Sequence, residues 1–154
     1  MGTQRWSKRL ALGIHEIDRE HEEIHRLIVL LQDALRTGSR DVVQRQIVQT
    51  VLSEVMQFAQ RHFAYEERLM KKVSYPEYDE HKNEHKYFLQ QIRGLKGRLQ
   101  TGESSITSET MNALSNWVHH HVLGTDTKYV PYLFSSSAAM KDVQRDNGTA
   151  RCGV

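Results

Sequence analysis

Apolar side chains recur along this chain with a helical period. Ile24, Ile28, Leu31 and Leu35 extend a three-and-four spacing that begins at His21, predicting a first helix from about Arg19 to Arg36 with Asp18 as its N-cap and Gly38 past its end. A second stripe of Ile47, Val51, Val55, Phe58, His62, Leu69 and Val73 predicts a helix from Asp41 to about Lys72. Ser74-Tyr75-Pro76 then interrupts the chain, because the residue before a proline resists helical geometry. His81, His85, Phe88, Ile92, Leu95 and Leu99 form the seam of a third helix from Glu77 to about Gln100. Gly94 and Gly97 each weaken it by roughly 1 kcal/mol relative to alanine, which predicts fraying there. After a turn over Thr101 to Ser105, a fourth helix from about Thr107 to Leu123 turns Leu114, Trp117, Val118 and His121 inward, and Gly124 breaks its period.

A short docked segment is expected over Thr127 to Phe134. The remainder, residues 135–154, opens on Ser135-Ser136-Ser137, shows no apolar stripe and is expected to be a flexible C-terminal tail. The fold class is therefore all-α: an up-down-up-down antiparallel four-helix bundle over residues 1–134, with an N-terminal arm and a C-terminal extension.

Charge narrows the function. The 154 residues carry 21 basic and 19 acidic side chains, interspersed along the chain, so no basic face points to nucleic acid and no cluster to anionic lipid. No apolar run is long enough to span a bilayer and no secretory leader is recognisable, which makes a cytoplasmic location the expectation. The single cysteine, Cys152, has no partner for a disulfide or a thiolate cluster, so iron-sulfur and structural zinc sites lose their usual ligands.

Metal-ligating side chains remain, and their spacing is helical. His62 and Glu66 stand four apart, as do His81 and His85, so each pair shares one helix face. His21 lies near the start of the first helix and His121 near the end of the fourth, five residues before Asp126. On a regular helix a spacing of five points two side chains about 140° apart, so the backbone between His121 and Asp126 must be widened or unwound, with Gly124 placed to permit it. In an up-down-up-down bundle all these positions gather at one end. Five imidazoles and two carboxylates exceed what one six-coordinate ion accepts, so a dinuclear centre is expected with the carboxylates as natural bridges. Two octahedral ions that also share a solvent oxygen would keep a single position open, which favours end-on capture of one small ligand over cleavage of a bridging diatomic.

The ligand segments His21, His62-Phe63-Ala64-Tyr65-Glu66, His81-Lys82-Asn83-Glu84-His85 and Trp117-Val118-His119-His120-His121-Val122-Leu123-Gly124-Thr125-Asp126 closely resemble the hemerythrin family, specifically its single-domain bacterial branch. The lead-in from Gly13 to His21 is similar too, with Glu20 where glutamine is frequent, and the likeness runs from about Trp6 to Leu133. What the resemblance implies is a non-haem centre of two iron ions, bridged by an oxo or hydroxo group, that binds O2 reversibly as a carrier, store or sensor rather than as an enzyme. It further implies that His81, His85 and His121 hold the saturated iron, that His21 and His62 hold the open one, and that Glu66 and Asp126 bridge. By the same likeness Ile24, Phe63, Trp117, Val118 and Val122 surround the gas, with Tyr129 nearby. The expected partner is O2, with neither nucleic acid nor membrane insertion, and the reading leaves room for an unidentified O2-accepting protein.

Plainer readings bound these expectations. A lone buried histidine is usually a hydrogen-bonded core residue, but five inward histidines each need a partner for their ring nitrogens, which disfavours a metal-free structural bundle. His25 mimics a ligand by standing four residues after His21, yet is expected outside the coordination sphere, and His119 and His120 are expected on solvated surface. The alternative function is a di-iron enzyme acting on peroxide or nitric oxide, which would need a proton donor beside the open position and a path for electrons.

Overall fold

Ile17, His21, Ile24, Ile28 and Leu31 lay one buried face along α1 (His15–Arg36). In the computed structural model, which describes residues 10–36, 42–101 and 106–149, this face packs against α2 (Val42–Lys72) and α4 (Ser108–His120), while α2 also packs on α3 (Tyr78–Gln100). Together the four form the expected antiparallel bundle, and no strand occurs among the described residues. Gly38, Asp41, residues 102–105 and Cys152, which figured in the expected helix ends, turn and tail, lie outside the described residues.

Helix α1 begins one turn earlier than its sequence pattern predicts, and Asp18 is not its N-cap. Gly13 adopts a left-handed φ of 82°, which folds the preceding chain back over the helix start. Asp18 then sits inside the first turn, where its carboxylate accepts the backbone N–H groups of Leu12 at 2.6 Å and Gly13 at 3.1 Å. The buried face of α2 is broader than the expected stripe. Val51, Val55, His62 and Leu69 are buried as predicted and Ile47 is 44% exposed, while Val48, Leu52, Ala59, Phe63 and Met70 are buried in addition, because a helix packed by α1 and α3 together buries more than a single seam. At the end of α2, Ser74 takes a left-handed φ of 51° while Tyr75 N–H donates to the Met70 carbonyl and Ser74 N–H to that of Lys71. This double closure satisfies carbonyls that the helix end would leave open.

The seam of α3 is buried at every predicted position, and the helix continues through both glycines to Gln100. A Cβ built on Gly97 meets nothing within 4 Å, so Gly97→Ala should raise stability by roughly 0.5–1 kcal/mol through helix propensity alone. A higher urea midpoint at unchanged slope would show it.

After α4 the chain winds into a π-helical segment (His121–Asp126), then α5 (Thr127–Phe134) and α6 (Ser137–Thr149). The last helix corrects the expectation of a flexible tail. Ala139 and Val143 form a short apolar stripe, too sparse to notice in a polar segment, that is buried with Ile14, Leu69 and Leu133, and Lys72 pairs with Asp142 to fasten α6 to α2. Two apolar clusters result. One holds Ile24, Phe63, Phe88, Val118 and Val122, and the other Ile17, Leu69, Met70, Tyr129 and Leu133. On α1 and α2 the ligand histidines fall between members of the two clusters, making a polar layer that must satisfy itself internally.

Candidate metal centre

Each helix delivers its side chains to this layer in the register the spacing demands. His62 and Glu66 come from α2, His81 and His85 from α3, His21 from α1, and His121 and Asp126 from the two ends of the π-helical segment. Turns closed by i→i+5 bonds carry residues five apart onto one face, so the widened backbone is what brings Asp126 beneath His121. Gly124 is not needed for this on steric grounds, since an added Cβ there meets nothing within 4 Å. The five histidines and two acids are all nine-tenths or more buried.

Their ligating atoms form two groups that share a carboxylate: Glu66, His81, His85, His121 and Asp126 in one, and His21, His62 and Glu66 in the other. Asp126 also reaches across. One of its oxygens lies 3.1 Å from Nε2 of His81 and 3.1 Å from Nε2 of His121, and the other 3.1 Å from Nε2 of His21. Oε2 of Glu66 stands 3.2 Å from Nε2 of His85 and 3.6 Å from Nε2 of His62.

Three carboxylates outside the cluster fix how these rings are protonated. Nδ1 of His62 meets Glu20 at 2.8 Å, Nδ1 of His85 meets Glu67 at 3.2 Å, and Nδ1 of His121 meets Glu84 at 2.6 Å. A carboxylate accepts only, so each Nδ1 carries the proton and each neutral ring turns a bare Nε2 lone pair inward. The consequence is sharpest at His85 and His121, whose Nε2 atoms face each other at 3.1 Å. Two inward lone pairs at that distance require a cation or a proton between them. Both oxygens of Asp126, Oε2 of Glu66 and Nε2 of His81 are buried without an aligned hydrogen bond, as befits donors aimed at a common centre. This donor set fits divalent transition-metal ions held by nitrogen and oxygen.

Without metal the same field holds protons. Burial works against charge on His81 and His121, but Asp126 and Glu66, with Glu84 added at His121, outweigh it and lift the two imidazoles to about 9 and about 10. Desolvation and each other's charge oppose ionisation of Glu66 and Asp126, yet the surrounding histidines hold both well below the usual carboxylate range. A histidine whose folded-state pKa is raised contributes stability that is complete below about 6.5 and lost as pH climbs through the raised value. Metal-free protein should therefore melt at progressively lower temperature between pH 7 and pH 10, and metal uptake should release protons and tighten over the same range. Thermal scans of metal-free and loaded protein would check this, with the loaded form lacking the slope.

The side chains expected around the gas are apolar and mostly sealed. Ile24, Phe63, Val118 and Val122 are buried and Trp117 is half-buried. Phe63 stacks on His85 at 3.9 Å between centroids, and Trp117 stacks on His121 at 4.5 Å. Trp117 also lines a groove of about 520 Å³ between α3 and α4, so one indole stands between this surface groove and a ligand ring. On the other side of the cluster Tyr129 is fully buried and its hydroxyl donates to Oε1 of Glu66 at 2.6 Å.

His25 belongs to neither ligand group, although it is buried. Its ring meets that of His119 edge-on at 5.4 Å, which corrects the placement of His119 on solvated surface: the packing of α1 on α4 half-buries it, and its Nδ1 donates to the Ser115 carbonyl. His120 is exposed as expected. Sequence reasoning missed Glu20, Glu67 and Glu84, yet a signal was present: each adjoins a candidate ligand in the chain and serves an imidazole on the next element that brings one to the cluster, Glu20 to His62, Glu67 to His85 and Glu84 to His121.

A helical bundle with a buried histidine and carboxylate cluster of this kind defines a cation-binding four-helix protein. Residues 12–133 match the family described as hemerythrin HHE cation binding domain, and the chain belongs to that family. It is 34% identical over 124 residues to a bacteriohemerythrin of Stenotrophomonas maltophilia, covering 80% of this chain and 77% of that protein. It is 31% identical to one of Pseudomonas paraeruginosa, covering 89% and 86%. In fold it matches a crystal structure of wild-type hemerythrin with a TM-score of 0.70 at 22% identity, over 86% of this chain and 95% of that one.

Proposed function

We propose that this protein binds O2 reversibly at two iron ions, with His81, His85 and His121 on one, His21 and His62 on the other, and Glu66 and Asp126 shared. The observation that carries this is the asymmetry of the cluster: three imidazoles gather on one side and two on the other, around carboxylates that face both. Such a donor set would offer one ion more protein ligands than its neighbour, whose remaining position could take O2. Ferrous ions held there would supply the electrons that bind O2 and take them back when the gas leaves.

The chain's own side chains then decide whether binding stays reversible. Ile24, Phe63, Trp117, Val118 and Val122 would surround the gas, exclude water and slow the proton delivery that turns bound O2 into a leaving group. The Tyr129 hydroxyl is engaged by Glu66 rather than free to donate. The same hydroxyl is the one observation that favours the enzymatic alternative, since turnover of peroxide or nitric oxide needs a proton donor beside the centre. An O2-accepting protein and a location in the cytoplasm remain part of the proposal; no described helix is long and apolar enough to cross a membrane.

Iron analysis with optical spectra of the reduced protein, in air and after degassing, tests the reading. Two irons per chain and a spectrum that returns on degassing are expected. A spectrum that fails to return would favour the enzyme, and absence of iron would refute both.

A further inference from the structure

We propose that Tyr129, Tyr75 and Tyr132 form a redox row that carries a one-electron oxidising equivalent from the metal cluster to the protein surface. This rests on the cluster being an iron site. Tyr129 is fully buried, its ring 5.5 Å from that of His81 and its hydroxyl on Glu66. Tyr75, 5% exposed, meets Tyr129 at 6.3 Å between centroids, and Tyr132, 42% exposed, meets Tyr75 at 5.2 Å. Rings whose centroids lie within about 7 Å touch, which permits direct electron exchange between neighbours.

Packing alone does not explain three phenols in this row. Phenylalanine fills nearly the same space without burying a hydroxyl, and the wall against His85 does use Phe63 with Phe88 behind it. Instead, both inner phenols face a carboxylate able to take a proton: Glu66 for Tyr129, and for Tyr75 the Oε2 of Glu77 at 3.5 Å, which Lys128 also contacts at 3.2 Å. Oxidation of a phenol needs such an acceptor, because the radical cation is a far stronger acid than the phenol.

The steps balance when hydrogen peroxide is the oxidant and the row is traversed twice, since each peroxide takes two electrons and two protons to become two waters while the cluster returns to its starting state. At each passage Tyr129 would give an electron towards the cluster and its proton to Glu66. Tyr75 then gives an electron to the Tyr129 radical, which recovers its proton from Glu66, while the Tyr75 proton passes to Glu77. Tyr132 reduces the Tyr75 radical in turn; Tyr75 recovers its proton from Glu77 and Tyr132 releases its own to solvent. A soluble thiol returns a hydrogen atom to Tyr132 at each passage, and the two thiyl radicals so formed combine to a disulfide. The row thus discharges a damaging oxidant at an exposed residue and spares the buried ligands.

Iron-loaded protein, oxidised beforehand so that the irons cannot themselves supply the electrons, treated with excess peroxide and a nitroso spin trap and then digested for mass spectrometry, tests this. The adduct is expected on Tyr132, with none on Tyr87, which is 53% exposed but outside the row. In Tyr75→Phe the Tyr132 adduct should be lost at unchanged iron content, and in the surface variant Tyr132→Phe no exposed tyrosine should carry it. Iron-free protein should stay unlabelled. An undiminished Tyr132 adduct in Tyr75→Phe overturns the row, as do equal labelling of Tyr87, labelling without iron, or an adduct confined to Trp117, which stacks on His121 and offers the competing exit. A preparation without iron refutes the metal reading itself, whereas an iron-replete preparation with unlabelled Tyr132 refutes the row alone.

Discussion

Glu66→Ala should leave the protein unable to retain either ion, while His25→Ala keeps both. Glu66 is the one side chain that belongs to both ligand groups, is fully buried, and reaches His85 at 3.2 Å, His62 at 3.6 Å and His21 at 3.8 Å. His25 is buried one turn from His21 yet joins neither group. Loss of a shared ligand should exceed the roughly 10–100-fold fall in affinity that loss of an outer hydrogen-bond partner brings. The alanine variant also orphans the Tyr129 hydroxyl, a cost of about 1–3 kcal/mol that lowers the urea midpoint without a role for metal. Glu66→Gln separates the two effects, since an amide oxygen still accepts from Tyr129 but brings no charge to the ions. Iron per chain after anaerobic loading and desalting gives the answer. Equal retention in the Glu66 and His25 variants would overturn the ligand assignment.

The legible part of this molecule is what helical periodicity controls. The His62 and Glu66 pair and the seam from His81 to Leu99 could be placed because a period of 3.6 fixes which side chains share a face, and His121 with Asp126 could be placed because their spacing violates it. What escaped the sequence depends on packing between elements. Whether α2 buries Ile47 or Val48 is set by how α1 and α3 flank it. The docking of α6 rests on Ala139 and Val143, two small residues whose burial only a preformed neighbour can reward. Asp18 looked like a cap because Asp often is one, but the left-handed turn at Gly13 carries Leu12 and Gly13 to its carboxylate first. Likewise no local pattern assigned Glu20, Glu67 and Glu84 a role until the neighbouring helix supplied an imidazole.

Those three acids set up the second large effect: Glu84→Ala should weaken the ion on the three-histidine side by roughly 10–100-fold and leave the other comparatively untouched. Glu84 lies 2.6 Å from Nδ1 of His121, and Thr125 donates to the same carboxylate at 3.0 Å. The hydrogen bond from His121, more than burial opposes it, keeps Glu84 ionised below the usual carboxylate range. Its charge makes the imidazole a better donor and holds Nδ1 in the protonated form that points Nε2 at the metal. The side chain is 44% exposed, so its removal opens no cavity in the core, and any loss of metal-free stability should be confined to pH values below about 10, where Glu84 supports a protonated His121. Glu84→Gln should fall between wild type and alanine, because the amide still accepts from Nδ1 without the charge. Titration with a ferrous chelator should then show one ion leaving early and the other at the wild-type concentration. A single unshifted release would mean that the carboxylate only decorates the surface. Simultaneous early loss of both ions would mean that Glu66 and Asp126 couple the two positions too tightly for either to stand alone, and the open position proposed for O2 would then depend on His81, His85 and His121 as much as on His21 and His62.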